Sequence, residues 1–226
     1  MRWNVWLRYT GATSRTPGSK PAGPKRMWAT SGWRRNGGGI ASLLQGHGFL
    51  PLQEKRVLDI GCGHGGVLAS LVDLGAPACN LYGIDLLPDR IEAARRAYPD
   101  ICFACGNAEH LDFPDAYFDL VLLFTVFSSI LDDGMAHNVA REACRVLKPG
   151  GAVLWYDFRY NNPWNPRVRG ITRQQIHQLF PGLEMHLCTI TLMPPLARRL
   201  GRLTPVLYPL LAAIPPLRTH YLGLLI

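Results

Sequence analysis

The segment VLDIGCGHGG, residues 57–66, places a carboxylate and several glycines directly after an apolar run. Gly61, Gly63 and Gly66 have the spacing G-x-G-x-x-G, which is typical of dinucleotide-binding turns. Glycine suits such a turn because the missing side chain lets the backbone approach a bound cofactor closely. The segment therefore predicts a cofactor site at the end of a strand, but the glycines alone do not identify the cofactor.

Two carboxylates near this turn help to discriminate between cofactors. Asp59 lies two residues before Gly61, where it would repel a pyrophosphate group and attract a sulfonium or ammonium group. Asp85 ends the next apolar run, where a carboxylate can accept both hydroxyls of an adenosine ribose. Asp85 could also act as the N-cap of the helix that Pro88 opens, and the two roles do not exclude each other. The charges favour a cationic methyl donor over a dinucleotide.

Four ordered segments extend this pattern: VLDIGCGHGG, YGIDLLPDRIEAAR, GNAEHLDFPDAYFDLVLLFTV and REACRVLKPGGAVLWYDF. Through them, residues 55–158 resemble the class I S-adenosylmethionine-dependent methyltransferases, of the broad small-molecule type that includes quinone-methylating enzymes. The order and spacing of the segments make the resemblance more specific than any single motif. It implies a Rossmann-like enzyme that moves the methyl group of S-adenosylmethionine by in-line displacement and leaves S-adenosylhomocysteine.

The resemblance also implies which residues bind the cofactor. Asp59 and the glycines would line its methionine end, and Asp85 would bind the ribose. Asn107 stands where the family usually has aspartate, and its amide oxygen can still accept from the adenine amino group. Phe124 would offer a backbone carbonyl to the ammonium group, with Thr125 at the pocket floor. The complete set is Asp59, Gly61, Cys62, Gly63, Asp85, Leu86, Asn107, Ala108, Phe124 and Thr125.

Candidates for handling the acceptor follow the fifth predicted strand and precede the first. Asp157 or Tyr156 could act as a base, and only one of them can point into a given face. Arg159 could orient an anionic acceptor, or it could simply pair with Asp157. Trp28 and Trp33 could cap the pocket or pack on the sheet edge. These surroundings suggest a small hydrophobic or aromatic acceptor, and nothing selects O-, N- or C-methylation.

The elements that must position these residues alternate between strands and helices. The pattern and the resemblance together predict an α/β fold: a doubly wound, mostly parallel seven-stranded sheet with an antiparallel last strand. Ligands then bind at the carboxyl ends of the strands. The predicted strands are 56–60, 81–85, 101–105, 118–124, 152–158, 184–191 and 221–226. The predicted helices are 65–74, 88–98, 132 or 133 to 147, and 172–180.

The charge distribution argues against a nucleic-acid partner. Residues 1–53 contain eight basic and no acidic residues, whereas the remaining 16 basic residues balance 16 acidic ones, so the net charge of +8 lies entirely in the first segment. A nucleic-acid enzyme more often carries its basic residues on the folded face that meets phosphate. An RNA methyltransferase that uses the basic tail stays an alternative, as does a non-catalytic cofactor-binding module.

The chain divides into three predicted parts: a flexible basic tail (1–26), an N-terminal cap segment (27–54) and a methyltransferase domain (55–226). A transit peptide is the alternative for the tail. The domain contains a proline-rich insert at about 193–216, which is too interrupted for a membrane span and predicts a helix pair, with membrane-surface contact as an alternative. Six cysteines without a signal sequence favour reduced thiols and a cytoplasmic protein. Cys102 and Cys105 would point to opposite faces, so no metal site is expected.

Overall fold

The computed structural model describes residues 39–161, 165–193, 196 and 204–226, with only the backbone of 204–206. The helices are α1 (Gly39–Gly46), α2 (Gly66–Val72), α3 (Pro88–Ala97), α4 (Asp133–Val146), α5 (Arg173–Leu179) and α6 (Thr204–Ala212). The strands are β1 (Val57–Ile60), β2 (Leu81–Asp85), β3 (Cys102–Cys105), β4 (Phe118–Phe124), β5 (Leu147–Phe158), β6 (Met185–Leu192) and β7 (Arg218–Leu225).

The strands form one seven-stranded sheet in the order β3-β2-β1-β4-β5-β7-β6. The pairs from β3 to β5 are parallel, whereas β7 runs antiparallel to both of its neighbours. The predicted fold class is therefore confirmed. β1 lies between β2 and β4, so the winding direction reverses at β1. Ligands of doubly wound sheets bind outside the carboxyl ends of the strands at such a switch point, and this is where the glycine turn lies.

Helices cover both faces of the sheet. On the face that we call the α1–α3 face, Leu44, Leu68 and Ile91 pack in one buried cluster with alternate strand residues. On the opposite α4–α5 face, Val139 and Ile176 belong to a second buried cluster. Because strand side chains alternate, every second residue of β1, β4 and β5 faces α1–α3. Two candidate site residues that are neighbours in a strand therefore lie on opposite faces of the sheet.

Several elements agree closely with the expected ones. β4 has the predicted bounds, and its apolar run is buried along both faces, as expected of a central parallel strand. Asp132 is the N-cap of α4, and its side chain accepts from the Met135 amide. Thr172 caps α5 in a capping box with Gln175.

Two strands begin earlier than predicted. β5 starts at Leu147 instead of residue 152, because Gly150 adopts φ 76° and the register with β4 shifts between Phe118 and Leu120. This irregularity lets Lys148–Gly151 join the strand instead of separating it from α4. β7 starts at Arg218 instead of residue 221, because its first residues pair with the end of β6. The earlier start adds His220 to the sheet.

The described part of the proline-rich insert contains α6 and a 3₁₀ turn at Pro215–Leu217. In the segments that the structure describes, helices are too short or too polar to traverse a bilayer. Trp28 and Trp33 lie outside the described residues.

Candidate functional site

The glycine turn leaves β1 and docks onto the end of β2. The amides of Gly61 and Cys62 both donate to the Ile84 carbonyl, at 2.8 and 3.0 Å. Gly61, Gly63 and Gly65 have φ angles of 74°, 55° and 76°, in the left-handed region that glycine enters without steric cost. The turn therefore depends on the absence of Cβ atoms.

The three glycines differ in what surrounds them. A Cβ atom at Gly65 would lie 2.5 Å from Phe103 Cζ, and one at Gly61 would lie 3.0 Å from Val126 Cγ2. A Cβ atom at Gly63 would meet no atom of the described residues within 4 Å. Gly65 is thus required by packing within the protein, whereas the described residues leave the space beside Gly63 open.

Asp59 is the most unusual group at this edge of the sheet. Its side chain is 1% exposed, and within the described part of the chain neither carboxylate oxygen has a hydrogen-bond partner. Burial raises the pKa of Asp59 well above its usual value, and the nearby charge of Asp85 raises it further. A buried carboxylate without a partner is costly. A cation placed beside Asp59 would offset that cost.

Unlike Asp59, Asp85 is hydrogen-bonded through both carboxylate oxygens, each of which accepts from a backbone amide. Oδ2 accepts from the Gly63 amide at 2.9 Å, and Oδ1 accepts from the Leu87 amide at 3.0 Å. Arg90 lies 3.7 Å away. These bonds fix the carboxylate, and each oxygen keeps a further lone pair for a ligand hydroxyl. The alternative in which Asp85 is the N-cap of α3 is wrong, because Leu87 occupies that position.

Cys62 contributes its backbone to the turn, and its side chain is buried beneath it. Burial raises the thiol pKa, and the charges of Asp59 and Asp85 raise it further, so the thiol stays protonated. Its sulfur would lie only 2.8 Å from a Cβ atom at Gly83, which shows how closely it packs on β2. Cys62 is therefore a packing residue rather than a nucleophile.

The loop after β3 brings Asn107 to the same edge. Asn107 Oδ1 accepts from the Glu109 amide at 2.8 Å, which orients the side chain, and the Gly106 amide donates to the Asp85 carbonyl. Ala108 packs partly against the cluster on the α4–α5 face. Leu86, half-buried, follows Asp85 directly. Asn107, Ala108 and Leu86 thus lie beside the ends of β2 and β3.

Thr125 turns the chain sharply at the end of β4. It has φ 56°, a left-handed conformation that is uncommon for a residue with a Cβ atom. Its amide donates to the Tyr156 carbonyl at 2.7 Å, and its hydroxyl donates to the Phe124 carbonyl at 2.7 Å. Strained backbone of this kind clusters at ligand sites, where the surrounding bonds hold it in place.

Tyr156 and Asp157 point to opposite faces, as strand alternation requires. Tyr156 belongs to the cluster on the α1–α3 face, with its ring 5.6 Å from that of Phe124 and its hydroxyl 3.1 Å from Thr191 Oγ1. Burial raises the pKa of Tyr156 to about 12. Its phenol is therefore neutral at physiological pH and serves as a hydrogen-bonding group.

Asp157 is 1% exposed, and backbone amides bind both of its oxygens. Oδ2 accepts from the Ser128 amide at 3.0 Å, and Oδ1 accepts from the Phe158 amide at 2.8 Å. Burial raises its pKa to about 6. This geometry ties the loop that follows Thr125 to β5, which is a positioning role.

Arg159 extends over the same side as Asp157. Its guanidinium lies 4.4 Å from the ring centre of Tyr160 and 5.3 Å from that of Tyr221, which packs on the α4–α5 face. Arg159 and Tyr156 therefore do not converge on one pocket.

The structure adds residues that the sequence did not suggest. His220, Thr219 and Thr191 gather beside Tyr156, and Tyr208 of α6 lies near enough to raise the pKa of Tyr156. A predicted last strand that began at Arg218 would have placed His220 on the same face as Leu222, because side chains alternate along RTHYLGLL.

Several proteins similar to this chain in sequence or in fold are named as methyltransferases. Residues 57–151 match the family described as a methyltransferase domain. Residues 57–151 are therefore similar to known methyltransferase domains, within the region whose sequence resembles the class I, S-adenosylmethionine-dependent methyltransferases. An S-adenosylmethionine-dependent methyltransferase from Methanosarcina mazei has a similar structure, with a TM-score of 0.60 at 18% identity over 79% of this chain and 94% of that one. At that identity the likeness concerns the fold alone.

Two curated relatives have names that specify lipids. Phthiotriol/phenolphthiotriol dimycocerosates methyltransferase 1 of Mycobacterium ulcerans is 36% identical over 132 residues, which is 56% of this chain and 47% of the relative. Fatty-acid O-methyltransferase of Mycolicibacterium smegmatis is 38% identical over the same shares of the two chains. The chain matches about half the length of these relatives.

The glycine turn yields a prediction about stability. Gly65→Ala should lower the free energy of unfolding by about 2–4 kcal/mol, because it adds a left-handed alanine and a clash with Phe103. The matched change Gly63→Ala adds only the backbone strain and should cost about 1–2 kcal/mol. Urea unfolding measures both. Equal losses in the two variants would contradict the packing role of Gly65.

Asp157 yields a prediction about pH. Because its folded pKa of about 6 exceeds the usual aspartate value of about 3.8, Asp157 contributes stability at low pH that is lost as the pH rises through about 6. Relative to Asp157→Asn, the wild type should therefore lose about 2 kcal/mol between about pH 4 and pH 7.

Asp119→Asn is the control for this titration. The Lys148 and Arg56 bonds to Asp119 lower its pKa despite the opposing effect of burial, so its contribution to stability changes mainly below about pH 4. The stability difference between the wild type and Asp119→Asn should therefore stay nearly constant from about pH 4 to pH 7. Urea unfolding across the pH series would refute the assignment if the difference between the wild type and Asp157→Asn stayed equally constant.

Proposed function

We propose that this protein is an S-adenosylmethionine-dependent methyltransferase that acts on an apolar, lipid-like acceptor. The observation that carries the proposal is Asp59, a buried carboxylate whose oxygens have no partner in the described part of the chain. S-adenosylmethionine carries a sulfonium and an ammonium, and a dinucleotide carries a pyrophosphate. A raised pKa beside open space at Gly63 favours a cationic ligand and disfavours an anionic one.

The residues at the strand ends fit this cofactor. Asp59 would bind the ammonium at the methionine end, and the Gly61–Gly63 backbone would lie against it. Asp85, held by two backbone amides, would accept the ribose hydroxyls with its remaining lone pairs. Asn107 would accept from the adenine amino group, and Leu86 and Ala108 would pack beside the ring. The Phe124 carbonyl and Thr125 would complete the floor.

The protein's part in the reaction is alignment and exclusion of water. When bound, the methyl donor supplies an electrophilic carbon already activated by its sulfonium. Phe124, Tyr156 and Phe158 offer an aromatic surface beside the cofactor end of the sheet, and Tyr208 of α6 approaches it from the insert. Asp157 holds the loop after Thr125 in place through the Ser128 amide. These residues would orient an apolar acceptor for in-line attack.

The acceptor class is supported by the relatives as well as by the surface. One relative's name denotes a triol and the other's denotes a fatty acid, and both are lipids. The row of aromatic rings formed by Phe124, Tyr156 and Phe158 would suit the apolar body of such molecules. Trp28 and Trp33, which lie outside the described residues, stay candidates for further contacts with the acceptor, whereas Arg159 lies over Tyr221 on the opposite face of the sheet.

A thermal-shift experiment tests the cofactor assignment. S-adenosylhomocysteine should raise the melting temperature of the wild type and NADH should not, since a ligand stabilises only the state that binds it. Asp59→Asn should weaken S-adenosylhomocysteine binding by about tenfold or more, because the ammonium loses its charged partner. The same variant without ligand should be as stable as the wild type or more stable near neutral pH, because it no longer buries a carboxylate.

Asp73→Asn is the matched control, since Asp73 is exposed at the end of α2. It should leave both melting temperature and cofactor affinity unchanged. Stabilisation of the wild type by NADH but not by S-adenosylhomocysteine would overturn the proposed function. Unchanged affinity in Asp59→Asn would overturn the role of Asp59.

A further inference from the structure

His220 lies at the carboxyl edge of the sheet, on the same face as Tyr156. Its ring stacks on Tyr156 with centroids 4.7 Å apart and an interplanar angle of 3°, and its centroid lies 4.1 Å from that of Phe158. Tyr156 in turn lies against Phe124. A continuous row of rings therefore runs from the end of β4, beside the cofactor residues, to His220 on β7. The side chain of His220 is buried, with the residue 4% exposed.

The hydrogen bonds around Thr219 fix which nitrogen of His220 carries the proton. Thr219 Oγ1 lies 3.1 Å from the Thr191 carbonyl and 2.9 Å from His220 Nδ1. A hydroxyl has one proton, and a carbonyl can only accept. Both bonds form together only if Thr219 donates to Thr191 and accepts from His220 Nδ1–H. The alternative tautomer would sacrifice one bond between buried groups.

The backbone of β6 supports this arrangement. Thr191 has φ 63°, and the pairing of β6 with β7 passes from Ile190 to Leu192 without it. The resulting irregularity turns the Thr191 carbonyl to Thr219, while Thr191 Oγ1 contacts the Tyr156 hydroxyl.

His220 presents a lone pair on Nε2. Burial lowers its pKa to about 4, so the ring is neutral at physiological pH. With the proton on Nδ1, Nε2 can only accept a hydrogen bond. Among the residues that the structure describes, none donates to Nε2.

Three arginines in the described part of this region, Arg218, Arg159 and Arg173, are engaged by other groups. Arg218 donates to the carbonyls of Ala212, Ala213 and Thr189. Arg159 and Arg173 lie over Tyr221, on the α4–α5 face. A carboxylate placed at Nε2 would therefore face a lone pair, and these cations would not neutralise it.

We propose that His220 is an acceptor-binding residue whose Nε2 accepts a hydrogen bond from a neutral hydroxyl group of an apolar acceptor. The inference rests on the proposed function and narrows it: the acceptor is an alcohol or phenol with an apolar body, not a fatty acid. Thr219 is a positioning residue that keeps the proton on Nδ1. Tyr156 and Phe158 hold the imidazole in its plane by stacking on it.

Matched ligands test the choice between hydroxyl and carboxylate. With the full chain saturated with S-adenosylhomocysteine, decanol should bind about tenfold more tightly than decanoate near neutral pH, because only the alcohol can donate to Nε2. His220→Phe keeps an aromatic ring in the stack and removes Nε2. It should lose that preference while its affinity for S-adenosylhomocysteine stays unchanged. Isothermal titration measures each affinity.

Histidine NMR spectra give a readout that does not depend on turnover. In the wild type, His220 should show protonated Nδ1 and unprotonated Nε2, and decanol should shift the Nε2 signal. Thr219→Val should lose the Nδ1–H preference, whereas Thr219→Ser, which keeps a hydroxyl, should retain it. This pair of variants provides the test if His220→Phe fails to fold.

The outcomes separate the two proposals. If S-adenosylhomocysteine does not stabilise the wild type, the proposed function fails. If S-adenosylhomocysteine does stabilise the wild type but decanol binds no better than decanoate, only the hydroxyl assignment fails. Weak binding of both ligands counts as this outcome. A wild-type spectrum with the proton on Nε2 also overturns it.

Discussion

A carboxylate buried at the end of β1 without a protein partner is the constraint on which the rest of the site depends. Asp59 lies in the sheet interior, where desolvation keeps its pKa high. Neither of two neighbouring groups supplies a positive charge to Asp59: Asp85 is bonded to backbone amides, and the Cys62 thiol stays protonated. Among the described residues, Asp59 thus lacks a hydrogen-bond partner and a Cβ atom at Gly63 would have no neighbour within 4 Å, an arrangement that would suit a cationic ligand.

The residues of the proposed cofactor side could be brought together from the sequence because their determinants are local. The apolar run of β1, the glycines and Asp59 are contiguous, and Asp85 follows at the spacing that one strand–helix–strand unit imposes. β4 was predictable for the same reason, since a strand buried on both faces has an uninterrupted apolar sequence. In each case the pattern within one segment decides where the side chains go.

The proposed acceptor side could not be predicted in the same way, because pairing between distant strands positions its residues. His220 enters the sheet only through the register of β7 with β5 and β6, and the tautomer depends on an irregularity at Thr191, some thirty residues away. Asp157 looked like a free base in the sequence, and only the fold reveals that the Ser128 amide binds it. Long-range contacts of this kind leave no periodic signal in a single chain.

The strand order separates the two halves of the site physically. In the described sheet, β6 is hydrogen-bonded to β7 alone, and β7 joins the remainder through β5. Thr191 and His220 both belong to this antiparallel pair, whereas Asp59 and Asp85 lie two or more strands beyond β5. During evolution a lineage can therefore exchange or remodel the β6–β7 hairpin and its helical connection without disturbing the nucleoside half. The same hairpin is the unit to exchange between similar proteins when chimaeras are built to change the choice of acceptor.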